Sequence, residues 1–134
     1  MSQLFKLLII TIILTSCKHE NNGFKITGNI KGIKDSTLIK LYDLERQFYI
    51  DSTYSHNGNF TLQGKVEKPT TCWLRTNGES IVIQVENVNM TFTSTVKDMR
   101  LNSKITGGRE QDLQNELQKL QKPYDIIFLE LMIV

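Results

Sequence analysis

Apolar and polar residues alternate along most of the chain from residue 24 to residue 106, which predicts a series of short β-strands. The first run places Phe24, Ile26 and Ile30 on one face. Further strands are predicted at 37–42, 48–54, 60–66, 71–76, 80–86, 88–94 and 104–106. With turns between them and no intervening helix, these runs predict an all-β fold, an antiparallel β-sandwich or a small open barrel of about seven or eight strands.

The segments 80–86 and 97–103 depart from this alternation. In the run at 80–86 the apolar residues follow one another, so this strand is expected to be buried on both faces. The segment 97–103 is polar and is expected to be a loop.

Asn-Gly pairs predict two tight turns, at Asn57-Gly58 and at Asn77-Gly78. The stretch 48–66 around the first pair reads as a hairpin. A two-residue turn would split its apolar residues between two faces, whereas a three-residue loop over 56–58 pairs Tyr54 with Phe60 and gathers them on one face. Because a slip of one residue reverses every side chain, we expect the second register, with Gly58 left-handed.

At Gly107-Gly108 the period changes from that of a strand to that of a helix. Leu113, Leu117 and Leu120 are spaced by four and three residues within 109–121, which predicts a C-terminal amphipathic helix. Pro123 is expected to break or kink it. The apolar residues that follow are too few to span a bilayer, and they indicate either a truncated chain or a segment that packs on something else.

The first residues have the pattern of a secretory signal, with a lysine-bearing start followed by an apolar run. The end of this run, Leu14-Thr15-Ser16-Cys17, resembles a bacterial lipobox. The resemblance implies cleavage before Cys17 and lipidation of its thiol, with Leu14, Thr15 and Ser16 recognised by the signal peptidase. Residues 1–16 are then the signal peptide and 17–23 a lipidated tether. Lys18, which is not an aspartate, favours the outer membrane facing the periplasm.

The composition and the candidate residues give little evidence for a chemical function. A formal net charge of +2 supplies no basic patch, so a nucleic-acid partner is not expected. Neither His19 nor His56 has ligand-type neighbours at metal-binding spacing, so we expect no metal and no cofactor. Asp51 and Ser52 lack a supporting histidine, which argues against a hydrolase.

Three further features have a structural and a functional interpretation. Cys72, in a predicted strand, is expected to be a small buried apolar residue rather than a redox sensor. Gly107-Gly108 is expected to form a strand-to-helix turn rather than an anion-binding loop. The aromatic residues of the strands could line a glycan or peptide surface, but packing is favoured; these are Tyr42, Tyr49, Tyr54 and Trp73.

The order of the lipobox, the Asn57-Gly58-Asn59-Phe60 turn, Pro69, Val85-Glu86-Asn87 and Ile105-Thr106-Gly107-Gly108 resembles one family. It is the domain of unknown function numbered 4369, found at the N-terminus of Bacteroidetes thioredoxin-like lipoproteins. The resemblance covers residues 24–108, and 109–134 resembles the helical spacer that leads into the thioredoxin domain. In the family, a Cys-x-x-Cys dithiol in that downstream domain performs catalysis. Residues 1–134 contain no Cys-x-x-Cys pair, so we expect this chain to lack the catalytic domain, and once Cys17 carries lipid only one of its thiols is left for exchange chemistry.

These observations favour a membrane-anchored, non-enzymatic accessory or docking domain of the bacterial cell envelope. Its expected partners are the membrane, through the lipid on Cys17, and a protein or a thioredoxin-like domain. Two alternatives remain open. The chain could be a fragment of a thiol-disulfide oxidoreductase, or a stand-alone lipoprotein that binds glycan or peptide through an exposed aromatic patch.

Overall fold

The computed structural model describes residues 22–76 and 78–133. The predicted signal peptide and lipobox therefore lie outside the described residues, as do His19 and Asn77. The elements are β1 (Phe24–Lys31), β2 (Leu38–Asp43), β3 (Phe48–Tyr54), β4 (Asn59–Gly64), β5 (Thr70–Thr76), β6 (Glu79–Val85), β7 (Asn89–Thr95), α1 (Met99–Asn102), β8 (Lys104–Thr106) and α2 (Arg109–Ile133).

The eight strands form two open four-stranded sheets, which gives a sandwich-like β-fold. The first sheet has the order β4-β1-β7-β8, and the second has the order β3-β2-β5-β6. Strands β1 and β7 run parallel, so the expectation of a purely antiparallel fold is wrong at this pair. Parallel neighbours cannot be joined by a tight turn, and here the chain between β1 and β7 passes through the whole second sheet.

The core lies between the sheets and is built by the alternation seen in the sequence. Strand β1 buries Phe24, Ile26 and Ile30, and its neighbour β7 buries Phe92. The second sheet contributes Ile39, Leu41, Cys72, Leu74, Ile83 and Val85. Fully burying one such large apolar side chain stabilises the fold by roughly 1.5–3 kcal/mol, so these residues supply most of the favourable free energy.

The Asn57-Gly58 turn differs from the expected hairpin in both its loop and its arms. His56 and Asn59 exchange two backbone hydrogen bonds of 2.9 Å, so the loop has two residues rather than three. Strand β3 then pairs with β2, while β4 pairs with β1 in the other sheet. The predicted pairing of Tyr54 with Phe60 is therefore wrong, because the turn joins the two layers of the fold. Strand β4 turns Phe60 and Leu62 into the core, whereas β3 contributes only the half-buried Ile50.

The remaining helices and strands correct two expectations, the polar loop and the strand buried on both faces, and they extend the predicted C-terminal helix. The segment predicted to be a polar loop contains the single-turn helix α1, which buries Met99. Strand β6 is an edge strand with one buried face, and Val82 on its other face is 45% exposed. Helix α2 continues through Pro123, which does not end it. Leu113, Leu117 and Leu120 are 45%, 60% and 66% exposed, so the apolar stripe of α2 is not buried against the β-domain.

Candidate binding face

The outer face of the second sheet carries two rows of side chains that follow from the strand register. One row crosses the sheet as Tyr49, Tyr42, Trp73 and Val82. The adjacent row is Ser52, Lys40, Arg75 and Ser80. Because strand residues alternate between faces, the inward positions beside them fill the core and leave these side chains outside. We refer to Lys40, Tyr42, Tyr49, Trp73 and Arg75 as the aromatic–cationic face.

The rings of this face contact one another across three strands. Tyr42 lies edge-on to Tyr49 at 5.0 Å between ring centroids, and stacks on Trp73 at 6.0 Å with 21° between the ring planes. A β-bulge in the β2–β3 pairing, where the register shifts beside Tyr42, aligns the two tyrosines. Tyr49 stays 47% exposed, so the cluster is a surface and not part of the core.

Two cations of the adjacent row lie close to these rings. The Lys40 ammonium lies 4.9 Å from the Tyr49 ring centroid, and the Arg75 guanidinium lies 5.1 Å from that of Trp73. Arg75 also donates from Nε to Ser80 Oγ at 3.2 Å and from Nη1 to the Tyr49 hydroxyl at 3.4 Å. Ring faces attract cations, so the aromatic side chains hold both charges close to the sheet.

The outer face of the first sheet provides a contrast. Its outward positions on β1, β4 and β7 are exposed and entirely polar: Lys25, Thr27, Asn29, Lys31, Asn59, Thr61, Gln63, Asn89, Thr91 and Thr93. A solvated sheet face of this fold therefore does not require aromatic residues. Exposed aromatic and apolar residues gathered on one face mark a surface suited to binding.

The sequence favoured packing of these aromatic residues, and the structure places that packing on the outer face of the second sheet, where Tyr42 packs against Tyr49 and Trp73. Tyr42 and Trp73 are half-buried by their neighbours on the outer face, and Tyr54 is 65% exposed. Sequence reasoning also missed Lys40 and Arg75. Their signal was present, since each lies two residues from an aromatic residue on the same strand and hence on the same face.

Cys72 lies on the opposite side of the second sheet and is completely buried, as predicted. Burial, with the negative charge of Asp43 as a second cause, raises the pKa of its thiol from 9.0 to about 12. Exchange chemistry requires an accessible thiolate. This thiol is buried and its raised pKa favours the protonated form, so it meets neither requirement.

Asp51 and His56, which the sequence analysis considered as possible site residues, make structural contacts. Asp51 accepts hydrogen bonds from the backbone N–H of Ser52 at 2.9 Å and of Gln63 at 2.8 Å, which ties β3 to β4. The exposed His56 ring lies 3.5 Å from the Asp35 carboxylate. Among the described residues, no group of three or more His, Cys, Asp or Glu side chains could hold a metal ion.

The glycine turns fall where the backbone needs positive φ angles. Asn57 and Gly58 have φ of 49° and 79°, and Gly78 has φ of 81°. Gly107-Gly108 forms the predicted strand-to-helix turn before α2. The Glu86 carboxylate accepts the backbone N–H of Glu110 at 2.9 Å, so the protein's own anion occupies the N-terminus of that helix.

Fold and surface together define a small two-sheet β-domain with an exposed aromatic face on one sheet. In a comparison with protein families, the model for a domain of unknown function (DUF4369) matches residues 24–114. The chain belongs to this family. Neither the comparison with curated proteins nor that with solved structures finds a significant match. In the part of the chain that the structure describes, no helix is both long enough and apolar enough to cross a membrane.

Proposed function

We propose that this protein is a lipid-anchored, non-catalytic docking domain of the bacterial envelope that contacts its partner through the aromatic–cationic face. The observation that carries the proposal is the difference between the two outer faces. One is wholly polar, while the other presents Tyr42, Tyr49 and Trp73 with two flanking cations. Tyrosine, tryptophan and arginine are the residues that dominate binding energy at protein surfaces.

The geometry supports binding and offers no support for thiol chemistry by this domain. The rings are braced by one another, so little side-chain entropy is lost when a partner covers them. Cys72 faces the core, and its raised pKa disfavours the thiolate. One candidate partner for the face is a thioredoxin-like domain, which the family resemblance implies. A glycan or peptide is another.

The anchoring part of the proposal rests on Leu14-Thr15-Ser16-Cys17 and its position after the apolar run. Replacing Cys17 with alanine should abolish incorporation of radiolabelled palmitate, because the thiol is the acceptor of the lipid. Cys72→Ala is the matched control and should label normally. Palmitate incorporation by Cys17→Ala would refute the lipid anchor.

The docking part can be tested by photocrosslinking in living cells. A benzophenone amino acid at position 49 keeps an aromatic ring on the face, and the same residue at position 61 is exposed on the polar face of the first sheet. The proposal predicts a discrete covalent adduct from position 49 that Trp73→Ser abolishes, and none from position 61. Adducts from both positions alike, or from position 61 alone, would contradict it.

A further inference from the structure

A cavity of about 330 Å³ opens on the aromatic–cationic face, bordered by Leu38, Lys40, Tyr49, Arg75, Glu79 and Ser80. This volume lies at the small end of the range of ligand-binding pockets. Residues of all four strands of the second sheet line the cavity, and its two cations lie on the central strands β2 and β5.

The arrangement of charge in this cavity is unusual for a sheet surface. Lys40 and Arg75 are direct cross-strand partners, and like charges placed opposite each other destabilise a sheet. Among the described residues, neither side chain forms a salt bridge with a carboxylate. Glu79, the acidic residue on the rim, has its carboxylate 3.6 Å from Arg100 Nε. The cavity therefore has two adjacent cations, and no described residue of the chain neutralises their charge by an ion pair.

We propose that this cavity binds the oxyanion of an acidic saccharide, with its carboxylate or phosphate held between Lys40 and Arg75. This inference rests on the proposed binding role of the aromatic–cationic face and names its ligand class. The planar guanidinium matches carboxylate and phosphate geometry, and the ammonium adds a second charge-assisted hydrogen bond. The hydroxyl groups of Tyr49 and Ser80, at the same cavity, can exchange hydrogen bonds with the hydroxyl groups of a sugar.

The position of the cavity favours a sugar over an acidic peptide. Extended peptides bind sheets by pairing with the free backbone groups of an edge strand. Lys40 and Arg75, which would hold the oxyanion, lie on β2 and β5, and each of these strands is paired on both sides, although the cavity also reaches the edge strands through Tyr49 of β3 and Ser80 of β6. An anionic group at the two cations is therefore recognised by side chains rather than by backbone pairing, and hydroxyl groups and an aromatic ring lie next to them.

The single tryptophan of the chain gives a direct readout, because Trp73 belongs to this face. We expect tetragalacturonate, which carries carboxylates, or mannose 6-phosphate, which carries a phosphate, to produce a saturable change in Trp73 emission. Neutral maltotetraose should produce none. Isothermal titration calorimetry on the same full-length chain provides affinities that do not depend on fluorescence. The two acidic sugars separate a carboxylate site from a phosphate site.

Charge-removing variants test whether the cavity is responsible. Lys40→Gln and Arg75→Gln should each weaken binding of the acidic sugar by about tenfold or more, since each loses a charge-assisted hydrogen bond. Lys25→Gln removes the same charge from the polar face of the first sheet and should leave affinity unchanged. Circular dichroism melting verifies folding, and if Arg75→Gln alters the melting transition, Lys40→Gln alone decides the result.

Three outcomes would overturn the inference: no binding of either acidic sugar, equal weakening by Lys25→Gln, or binding of a glutamate-rich peptide in preference to both sugars. If the sugars fail while the adduct from position 49 forms, the docking face stands and only its ligand class is wrong. If both fail, the binding role of the face is wrong as well.

Discussion

Burial of Cys72 makes a quantitative prediction about its reactivity. At pH 8 a thiol with a pKa of 9.0 is about one-tenth thiolate, and one with a pKa of about 12 is about one ten-thousandth thiolate. The native thiol should therefore react with Ellman's reagent about thirtyfold more slowly than the same thiol in unfolded chain, because the greater nucleophilicity of a more basic thiolate offsets part of the loss of thiolate. The lack of solvent exposure slows it further, because attack then requires transient opening of the sheet.

The assay uses the full-length chain with Cys17→Ser, so that Cys72 is the one remaining thiol. Its reaction is followed in buffer and in guanidinium chloride. As a control, Ser52→Cys in a chain that also lacks Cys72 places a thiol on the exposed outer face and should react rapidly without denaturant. If native Cys72 reacts within tenfold of the rate in guanidinium chloride, the thiol is accessible, and the argument against redox chemistry in this domain fails.

The same raised pKa predicts how stability depends on pH. The native state holds the thiol proton more tightly than the unfolded state does, so this contribution is complete below pH 9 and is lost as the pH rises toward 12. Within that window, the free energy of unfolding should fall by about 1.4 kcal/mol per pH unit on account of Cys72. Urea titrations of the native chain and of Cys72→Ala isolate the effect, and parallel pH profiles would contradict it.

Two substitutions test the connections between the sheets. Gly58→Val should cost about 1 kcal/mol or more, because φ is 79° and a Cβ would lie 3.2 Å from a backbone carbonyl oxygen; Gly78→Val, with no neighbour within 4 Å, should cost less. An unchanged melting temperature for Gly58→Val would contradict this reasoning. Asn87→Ala should cost about 1–3 kcal/mol, because its side chain accepts from Val66 N–H at 2.9 Å and donates to Val66 C=O at 2.6 Å. Chemical denaturation measures this cost, and the exposed Asn89→Ala should be nearly neutral; equal costs would refute the role of Asn87.

The β-strands could be predicted from the sequence where burial alone determines the pattern. Alternation placed Phe24, Ile26 and Ile30 on one face of β1, and the structure buries all three. Such patterns are local, because each residue responds to the face on which it lies.

Strand partners could not be predicted in the same way, because pairing depends on distant segments. The Asn57-Gly58 signal correctly indicated a turn, but a turn does not specify that its two arms enter different sheets. Gly28 illustrates the missing information: it lies opposite Phe60, whose ring covers the space that a Cβ would need. This contact joins β1 to β4, whereas the hairpin interpretation paired the segment of β4 with that of β3.

The side of the sheet on which the aromatic residues lie could not be predicted for a related reason. A tyrosine in a strand alternates in the same way whether its face meets the core or the solvent, so periodicity alone could not orient Tyr42 or Trp73. Lys40 and Arg75 became notable only when the β2–β5 register placed them opposite each other. Candidate sites of this kind become visible when the strand order of a sheet is known.

We propose that a ligand or partner contacts the outer face of the second sheet, and not that of the first. The most direct measurement is amide chemical-shift mapping of the isotopically labelled full-length chain during titration with tetragalacturonate. Binding at the aromatic–cationic face predicts saturable chemical-shift changes at Lys40, Tyr49, Trp73 and Arg75, and none in the strands of the first sheet. Shifts confined to the polar face, or spread evenly over both faces, would contradict it.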